Sequence, residues 1–328
     1  MRFFILFLAL CLFFAADVAL GSVSIPWGKG LAIFHDPTYR TILLEIRLPE
    51  ALAAVLVGSA LSVSGLQMQT LFGNPLAGPS VLGITAGASL GAALWVLIGT
   101  GGLPASLASL SLVGMAVSGA LLVLLVILLV AFKVRDRVGL LLVGIMLGNL
   151  TFALVSIGQY FSTAEQLQSY VFWGFGDLSG LTFRELAVLG SITCVGLLLS
   201  LTLSKTLNTW LLGENYAQSL GISLRRSRLQ IIVLTGILTG TVTAFVGPIG
   251  FVGIAVPHLG RMYFKSSDHR QLLPGVMLLG GTFLLGCDLI AKLPTQHLRL
   301  PLNAVTALLG APIVIWIILQ WRGISGGR

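Results

Sequence analysis

Residues 51–132 contain no Asp, Glu, Lys, Arg or His. One membrane-spanning helix needs only about 20 apolar residues, so this run must cross a membrane more than once. A soluble domain carries roughly a quarter charged residues, whereas only 9% of this chain is charged. Backbone polar groups in lipid must be satisfied within the spanning structure, which leaves helices or a closed barrel. Strict alternation of polar and apolar residues is absent, so the run predicts helices.

Glycine, proline and charged residues divide the whole chain into about ten apolar segments. The predicted spans are 3–21, 50–70, 80–98, 106–131, 138–160, 186–204, 229–246, 250–264, 271–290 and 302–321. We therefore expect an all-α polytopic membrane protein in which residues 1–328 form a single transmembrane domain. The eighth segment carries the weakest signal, because His258 and Arg261 interrupt it.

The basic residues indicate how these spans are oriented. With the N-terminus in the cytoplasm, 13 of the 19 Lys and Arg residues fall on the cytoplasmic side and 6 on the other. An even number of spans then places both termini in the cytoplasm. The net charge of +8 is scattered between apolar runs, which fits this topological role and not nucleic-acid binding.

The first apolar segment has two interpretations. Arg2 followed by an apolar stretch and alanines is similar to a secretory signal. The apolar part continues nearly to Leu20, however, which is long enough to span the membrane. We expect it to be retained as the first helix.

Glycines recur four residues apart in several segments. They are Gly83, Gly87 and Gly91, then Gly144 and Gly148, then Gly236 and Gly240. Helices in lipid associate through small residues that let their backbones approach closely. The spacing therefore predicts a tight helix bundle.

Motifs for catalysis are absent from the sequence. There is no Gly-x-x-x-x-Gly-Lys-Ser/Thr phosphate loop and no His-Glu-x-x-His zinc helix. His35, His258, His269 and His297 are dispersed, and loop or interfacial positions explain them without a metal. The three cysteines lie in apolar segments and lack metal-type spacing. We expect no enzyme activity, no metal and no cofactor.

Ionisable residues inside spans are costly and usually functional. Asp288 is the main example, and Lys292 lies four residues further on, where a helical ion pair would form. A structural pair and a functional role are equally compatible with this spacing. Proton-driven secondary transporters generally need buried carboxylates, so their scarcity argues against an ion-coupled transporter.

The longest cytoplasmic connection, 208–225, predicts a short amphipathic helix. Glu214 lies near its start and Gly221 would stop it. Such a helix is either an interfacial anchor, which Trp210 would suit, or a docking element for a partner. Physical reasoning leaves the two alternatives even.

This connection resembles the coupling loop of the permeases of type II ABC importers, the FecCD/BtuC type that takes up iron-siderophores, haem and vitamin B12. The resemblance covers nearly the whole chain in order. Its motifs are Arg47-Leu-Pro49, Ser64-Gly65, Gln69, Asn74-Pro-Leu-Ala77, Leu82-Gly83, Gly247-Pro-Ile-Gly-Phe-Val-Gly253, Val256-Pro-His258, Asp268-His-Arg270, Leu273-Pro274, Asp288 and Thr306-Ala-Leu-Leu-Gly-Ala-Pro312.

The resemblance implies a permease subunit with ten spans in the bacterial inner membrane. It implies a homodimer, two cytoplasmic ABC ATPase subunits that hydrolyse ATP, and a periplasmic substrate-binding protein. We expect an iron complex, either a siderophore or haem, as the ligand, with cobalamin as the alternative.

The resemblance also implies functional residues. Those of the ATPase-coupling loop are Leu212, Gly213, Glu214, Ala217, Ser219, Leu220 and Gly221. Those of the translocation path and gate are Gly144, Gly148, Asn149, Tyr160, Trp173 and Gly174.

Two positions depart from the family pattern in the sign of their charge. Glu50 stands where the family commonly has a second Arg after Arg-Leu-Pro, and Arg299 stands where it commonly has an acid. We hypothesise that docking of the binding protein has been re-paired around Arg47, Glu50, Lys292 and Arg299, with the three cations as the basic side. The alternative is that Glu50 and Arg299 neutralise each other within the permease.

Overall fold

The computed structural model describes residues 1–21, 23, 25, 36–98, 105–134, 136–293 and 299–325, without the side chains of residues 98, 105–110, 317, 318 and 320–325. Within these ranges the secondary structure is helical and contains no strand. The α-helices of the described residues are α1 (Arg2–Ala19), α2 (Pro37–Thr41), α3 (Leu48–Phe72), α4 (Ile84–Ile98), α5 (Ala105–Lys133), α6 (Arg137–Phe161), α7 (Ala164–Gly174), α8 (Phe183–Thr202), α9 (Ser204–Leu211), α10 (Glu214–Ser219), α11 (Leu224–Val246), α12 (Val252–Phe264), α13 (His269–Lys292) and α14 (Leu302–Ser325).

Each of the ten predicted spans coincides with one of these helices. They are α1, α3, α4, α5, α6, α8, α11, α12, α13 and α14. Among the described residues, 7 helices are long and apolar enough to cross a membrane, and Ile84–Leu97 and Leu302–Trp316 form shorter apolar helices. The prediction of an all-α polytopic membrane protein is confirmed.

Helix α3 lies at the centre of the bundle. A π-helical segment, Ile42–Arg47, joins α2 to α3 without a break. Helices α8, α11, α12 and α13 all pack against α3, and nearly every residue from Pro49 to Leu71 is buried. A helix whose side chains are apolar on every side is buried on every side. Because α3 is surrounded by other helices, it carries no charged residue after Glu50, where the charge-free run begins.

The close glycine contacts predicted from the spacing are present at Gly87, Gly91 and Gly144 but not at Gly148, where a Cβ atom would meet no described atom within 4 Å. A Cβ atom on Gly91 in α4 would lie 1.9 Å from the carbonyl oxygen of Met115 in α5. A Cβ atom on Gly144 in α6 would lie 2.2 Å from the carbonyl oxygen of Val81. Gly83 differs, because it has a φ of +75° and ends a 3₁₀ turn before α4 begins. It therefore serves the turn rather than the helix.

Helix α1 packs against α13 along the edge of the bundle. At its start, the Arg2 guanidinium donates to the carbonyl oxygen of Phe264 at 2.5 Å, and the Tyr263 hydroxyl donates to the carbonyl oxygen of Arg2 at 3.1 Å. Near its end, Asp17 is fully buried. The retention of this helix stays a prediction.

Candidate functional site

The predicted coupling segment contains the end of α9 and the whole of the short helix α10. Helix α9 ends at Leu211, and Gly213 has a φ of +97°, a conformation that suits glycine and turns the chain before α10. Gly221 has a φ of +81° and follows the end of α10, as predicted. The predicted short helix, with Glu214 near its start and Gly221 as its stop, is therefore present as α10, and Gly213 separates it from the end of α9.

The side chain of Trp210 is buried within the protein and not exposed at the surface. Its side chain is 1% exposed, and its indole N–H donates to the hydroxyl of Ser227 at 3.1 Å. The guanidinium carbon of Arg137 lies 4.7 Å from the centre of the indole ring. The suggestion that Trp210 anchors the segment in the membrane interface is therefore wrong, since the ring is covered by protein.

Glu214 connects α10 to two spanning helices. Its carboxylate lies 2.5 Å from Nε of Arg137, at the start of α6, and 3.4 Å from the guanidinium of Arg228 in α11. Arg228 also donates to the carbonyl oxygen of Val134 at 3.2 Å. Ion pairs thus join the first turn of α10 to the beginnings of α6 and α11.

The segment also exposes large side chains around α10. Leu212, Tyr216 and Leu220 are 59%, 68% and 63% exposed. Ala217 is buried beneath them, and its carbonyl oxygen accepts from the backbone N–H of Ile222 at 3.1 Å. Ser219 is also exposed. Large exposed side chains that lie within nine residues of one another mark a surface that a protein partner can cover.

Asn208 joins α9 to α13. Its amide nitrogen donates to Asp268 at 2.6 Å, and its amide oxygen accepts from both the backbone N–H and Nδ1 of His269, each at 2.8 Å. Nε2 of His269 lies 2.8 Å from the hydroxyl of Thr70 in α3. Hydrogen bonds from the backbone N–H of Arg270 and from Asn208 lower the pKa of Asp268. A continuous polar chain therefore runs from the coupling segment to two spans.

The two described histidines occupy buried helical positions and not loops. His269 is 1% exposed, and Nε2 of His258 lies 2.8 Å from the carbonyl oxygen of Pro75. Arg261, one turn after His258, donates to the side-chain oxygen of Gln69 at 2.7 Å. These polar groups interrupt the eighth segment because they bind α3 and the turn that follows it. His35 and His297 lie outside the described residues.

A second cluster of charges lies at the other end of α13. The Lys292 ammonium is 2.7 Å from Asp288, 2.9 Å from Asp17 and 3.2 Å from Glu50. Arg299 forms ion pairs with Glu50 and Asp288. The predicted helical pair of Asp288 and Lys292 is present. Asp17 was not singled out from the sequence, although an acid inside an apolar span was the signal that could have found it.

The same cluster bears on the predicted docking residues. Arg47, Glu50 and Lys292 are buried, and the Arg47 guanidinium donates to the carbonyl oxygens of Val18 and Ala19 at 3.1 and 2.7 Å. Arg299 is the most accessible of the four, with a side chain 33% exposed. The contact between Glu50 and Arg299 favours mutual neutralisation within the permease, and binding-protein docking stays a prediction.

Comparison with known proteins identifies the family to which these features belong. The FecCD transport family matches residues 7–320. This chain is a member of the FecCD transport family. Its relatives include the vitamin B12 import system permease protein BtuC of Klebsiella pneumoniae, which is 41% identical over 279 residues, covering 85% of this chain and 82% of the relative. The BtuC protein of Escherichia coli O9:H4 is 39% identical over 289 residues, covering 88% and 87%.

A solved structure agrees with this FecCD assignment. An inward-facing structure assigned to the metal-chelate type of ABC transporter matches with a TM-score of 0.87 and 31% identity, covering 97% of this chain and 98% of that chain. The structure of PsaBC from Streptococcus pneumoniae in complex with Fab matches at a TM-score of 0.54 and 13% identity, which supports the fold alone. The chain is thus the permease of an ABC importer of the FecCD type.

In this FecCD permease the predicted path residues lie on α6 and α7. Gly144 is buried against the turn before α4, whereas Asn149 and Tyr160 are exposed, the latter by 83%. A Cβ atom on Gly148 would have no described atom within 4 Å. Much of α6 beyond Gly144 is exposed and apolar, as expected for a helix that faces lipid or a second copy of the chain.

Helix α7 lies against the loop of residues 247–253 in this FecCD permease. Trp173 is half-buried and stacks on Tyr170 with ring centres 6.0 Å apart. A Cβ atom on Gly247, whose φ is +75°, would lie 2.4 Å from the carbonyl oxygen of Trp173. Gly174, the last residue of α7, has open space around its Cα. The role of α7 as a gate stays a prediction.

Proposed function

We propose that this chain is the permease subunit of a vitamin B12 (cobalamin) importer. The relatives at 41% and 39% identity, which cover more than four-fifths of this chain, are vitamin B12 import permeases. The first expectation, an iron complex, has weaker support, because the metal-chelate type transporter is 31% identical. The cobalamin alternative therefore ranks above it.

The proposed mechanism depends on the connections of the coupling segment. Two copies of the chain form a homodimer around a path that includes α6, and two ATPase subunits bind the exposed side chains of Leu212, Tyr216 and Leu220. A displacement of α10 acts on α6 and α11 through Glu214, whereas a displacement of α9 acts on α13 through Asn208. Rigid helices joined in this way convert movement of a docked partner into movement of the spans.

The proposal also places the complex in the bacterial inner membrane. Both termini then lie in the cytoplasm, on the side of the coupling segment. A periplasmic binding protein delivers the ligand to the opposite face, where the cluster around Lys292 lies. The bias of Lys and Arg toward the coupling side supports this orientation.

Reconstituted transport tests the ligand. The chain would be assembled in proteoliposomes with its ATPase and binding protein, and uptake of radiolabelled cyanocobalamin, a ferric siderophore and haem would be measured with and without ATP. We expect ATP-dependent uptake of cyanocobalamin alone. Uptake of an iron complex without cyanocobalamin would restore the first expectation, and uptake driven by an ion gradient without the ATPase would indicate a secondary transporter.

A further inference from the structure

A long groove follows the surface of the bundle between α8 and α11. Its wider part has a volume of about 620 Å³ and lies where α8 ends and α11 begins. A second part of about 300 Å³ continues along the same two helices toward Ile192 and Ile237. Leu199 and Leu234 line both parts, so the two cavities form one continuous depression.

The length of the groove matches one leaflet of a bilayer. Its lining extends along α8 from Ile192 to Leu203. At a rise of about 1.5 Å per residue this stretch is roughly 17 Å long. Half of the hydrocarbon core of a bilayer measures about 15 Å. An acyl chain that lay in the groove would thus remain at the depth it occupies in the membrane.

The two ends of the groove differ in chemistry. The narrow part is lined almost wholly by apolar side chains and Gly196, whereas Arg225 and Arg226 stand at the wide end, next to Ser223. Both arginines are exposed, and none of the described residues that line the groove is acidic. Positive charge at the mouth of an apolar groove between spans is complementary to an anionic lipid headgroup.

The guanidinium of Arg225 lies over an aromatic ring. Its guanidinium carbon lies 4.7 Å from the centre of the Phe132 ring, at the end of α5. A cation over an aromatic face keeps its N–H groups available at the edges for an anion. Arg226 forms no ion pair with another described residue, so both side chains are available to a phosphate.

We propose that this groove binds one anionic phospholipid. Its phosphate lies between Arg225 and Arg226, and one acyl chain lies along α8 and α11. Because Gly221 precedes Arg225 by only four residues, the bound lipid also restrains the end of the coupling segment. The inference requires only that the FecCD permease lies in a membrane, and it does not depend on which ligand is transported.

Native mass spectrometry of the intact complex of permease and ATPase subunits tests this site. The complex would be offered phosphatidylglycerol or phosphatidylcholine with the same acyl chains. We expect the wild type to retain phosphatidylglycerol selectively, and R225Q/R226Q to reduce that retention about tenfold. The matched control is R40Q/R184Q, which removes two exposed arginines that do not line the groove and should retain the lipid as the wild type does.

A second variant tests the contribution of the groove separately from that of the two arginines. Leu199→Trp keeps both arginines but fills the space shared by the two parts of the groove, so it should also lower retention of phosphatidylglycerol. Equal retention of both lipids by the wild type would overturn the proposal. So would unchanged retention in R225Q/R226Q, or an equal loss in R40Q/R184Q, which would indicate a general effect of charge. Displacement of the lipid when the ATPase binds would show that the groove is a protein-docking surface.

Discussion

Replacing Lys292 by methionine removes a cation that three buried carboxylates share. The ammonium lies 2.7 Å from Asp288, 2.9 Å from Asp17 and 3.2 Å from Glu50. The side chains of Asp17 and Asp288 are 0% exposed, so water does not replace the lost partner. Methionine retains an unbranched apolar stem of similar length, so the substitution isolates the effect of the charge.

The size of the stability loss in Lys292→Met depends on which carboxylate is left without a cation. Arg299 still contacts Glu50 and Asp288 in the variant. Asp17 has no ion pair with a described residue other than Lys292. Removing one partner of a buried ion pair costs about 3–5 kcal/mol, because the remaining charge is buried without compensation. We expect a loss of this size, and we attribute most of it to Asp17.

The apparent melting temperature of the purified permease in detergent measures this loss. At about 2 °C per kcal/mol for a chain of this size, Lys292→Met should melt roughly 6–10 °C below the wild type. The matched control is Lys133→Met, because Lys133 is exposed at the end of α5. A surface change of this kind alters stability by about 0.5 kcal/mol or less, so the control should melt within about 1 °C of the wild type.

A second substitution tests whether Asp17 is the unpaired group. Adding Asp17→Asn to Lys292→Met removes the unpaired charge and should recover at least half of the lost melting temperature. If Lys292→Met melted within about 2 °C of the wild type, the cluster would not stabilise the fold as argued. If Asp17→Asn brought no recovery, the assignment of the cost to Asp17 would be wrong.

Three further changes probe packing and the coupling segment. Gly65→Ala should cost at least about 1–3 kcal/mol in thermal stability, because its Cβ atom would lie 1.7 Å from a backbone oxygen of α12. The control is Gly114→Ala, which should cost little because there is open space around Gly114. Trp210→Ala should cost about 3–5 kcal/mol of stability in detergent; unchanged stability would restore the anchor interpretation. Asn208→Ala removes the partner of His269, so hydrogen exchange in α9 should accelerate by the equivalent of about 1–3 kcal/mol, and unchanged exchange would refute the link between α9 and α13.

Much of the fold could be predicted from the sequence, because a helix that crosses lipid must meet a simple requirement. A span must be apolar over about 20 residues, and Gly, Pro or charge marks its ends, so ten segments could be placed from composition alone. The glycine spacing likewise predicted close contacts, since only a missing side chain lets backbones approach as Gly91 and Met115 do. These properties are local in sequence.

The candidate site was only partly predictable, because its contacts join distant positions. Resemblance to a family predicted the coupling segment, but the sequence left open whether Trp210 anchors it in the membrane. In the structure the indole lies beneath Arg137 and beside Ser227. A tryptophan on a short amphipathic helix looks the same in sequence whether lipid or protein covers it. His269 likewise read as an interfacial residue, although its partner Asn208 lies in another helix.

A bundle of apolar helices follows from the amino-acid sequence alone, because hydrophobicity and backbone hydrogen bonding act over neighbouring residues. Which charges are paired depends on how the helices pack. Lys292 and Asp17 are separated by 275 positions and meet because α1 packs against α13. Sequence spacing could place Asp288 beside Lys292, but not Asp17, Glu50 or Arg299, because electrostatic pairing depends on distance in space and not along the chain.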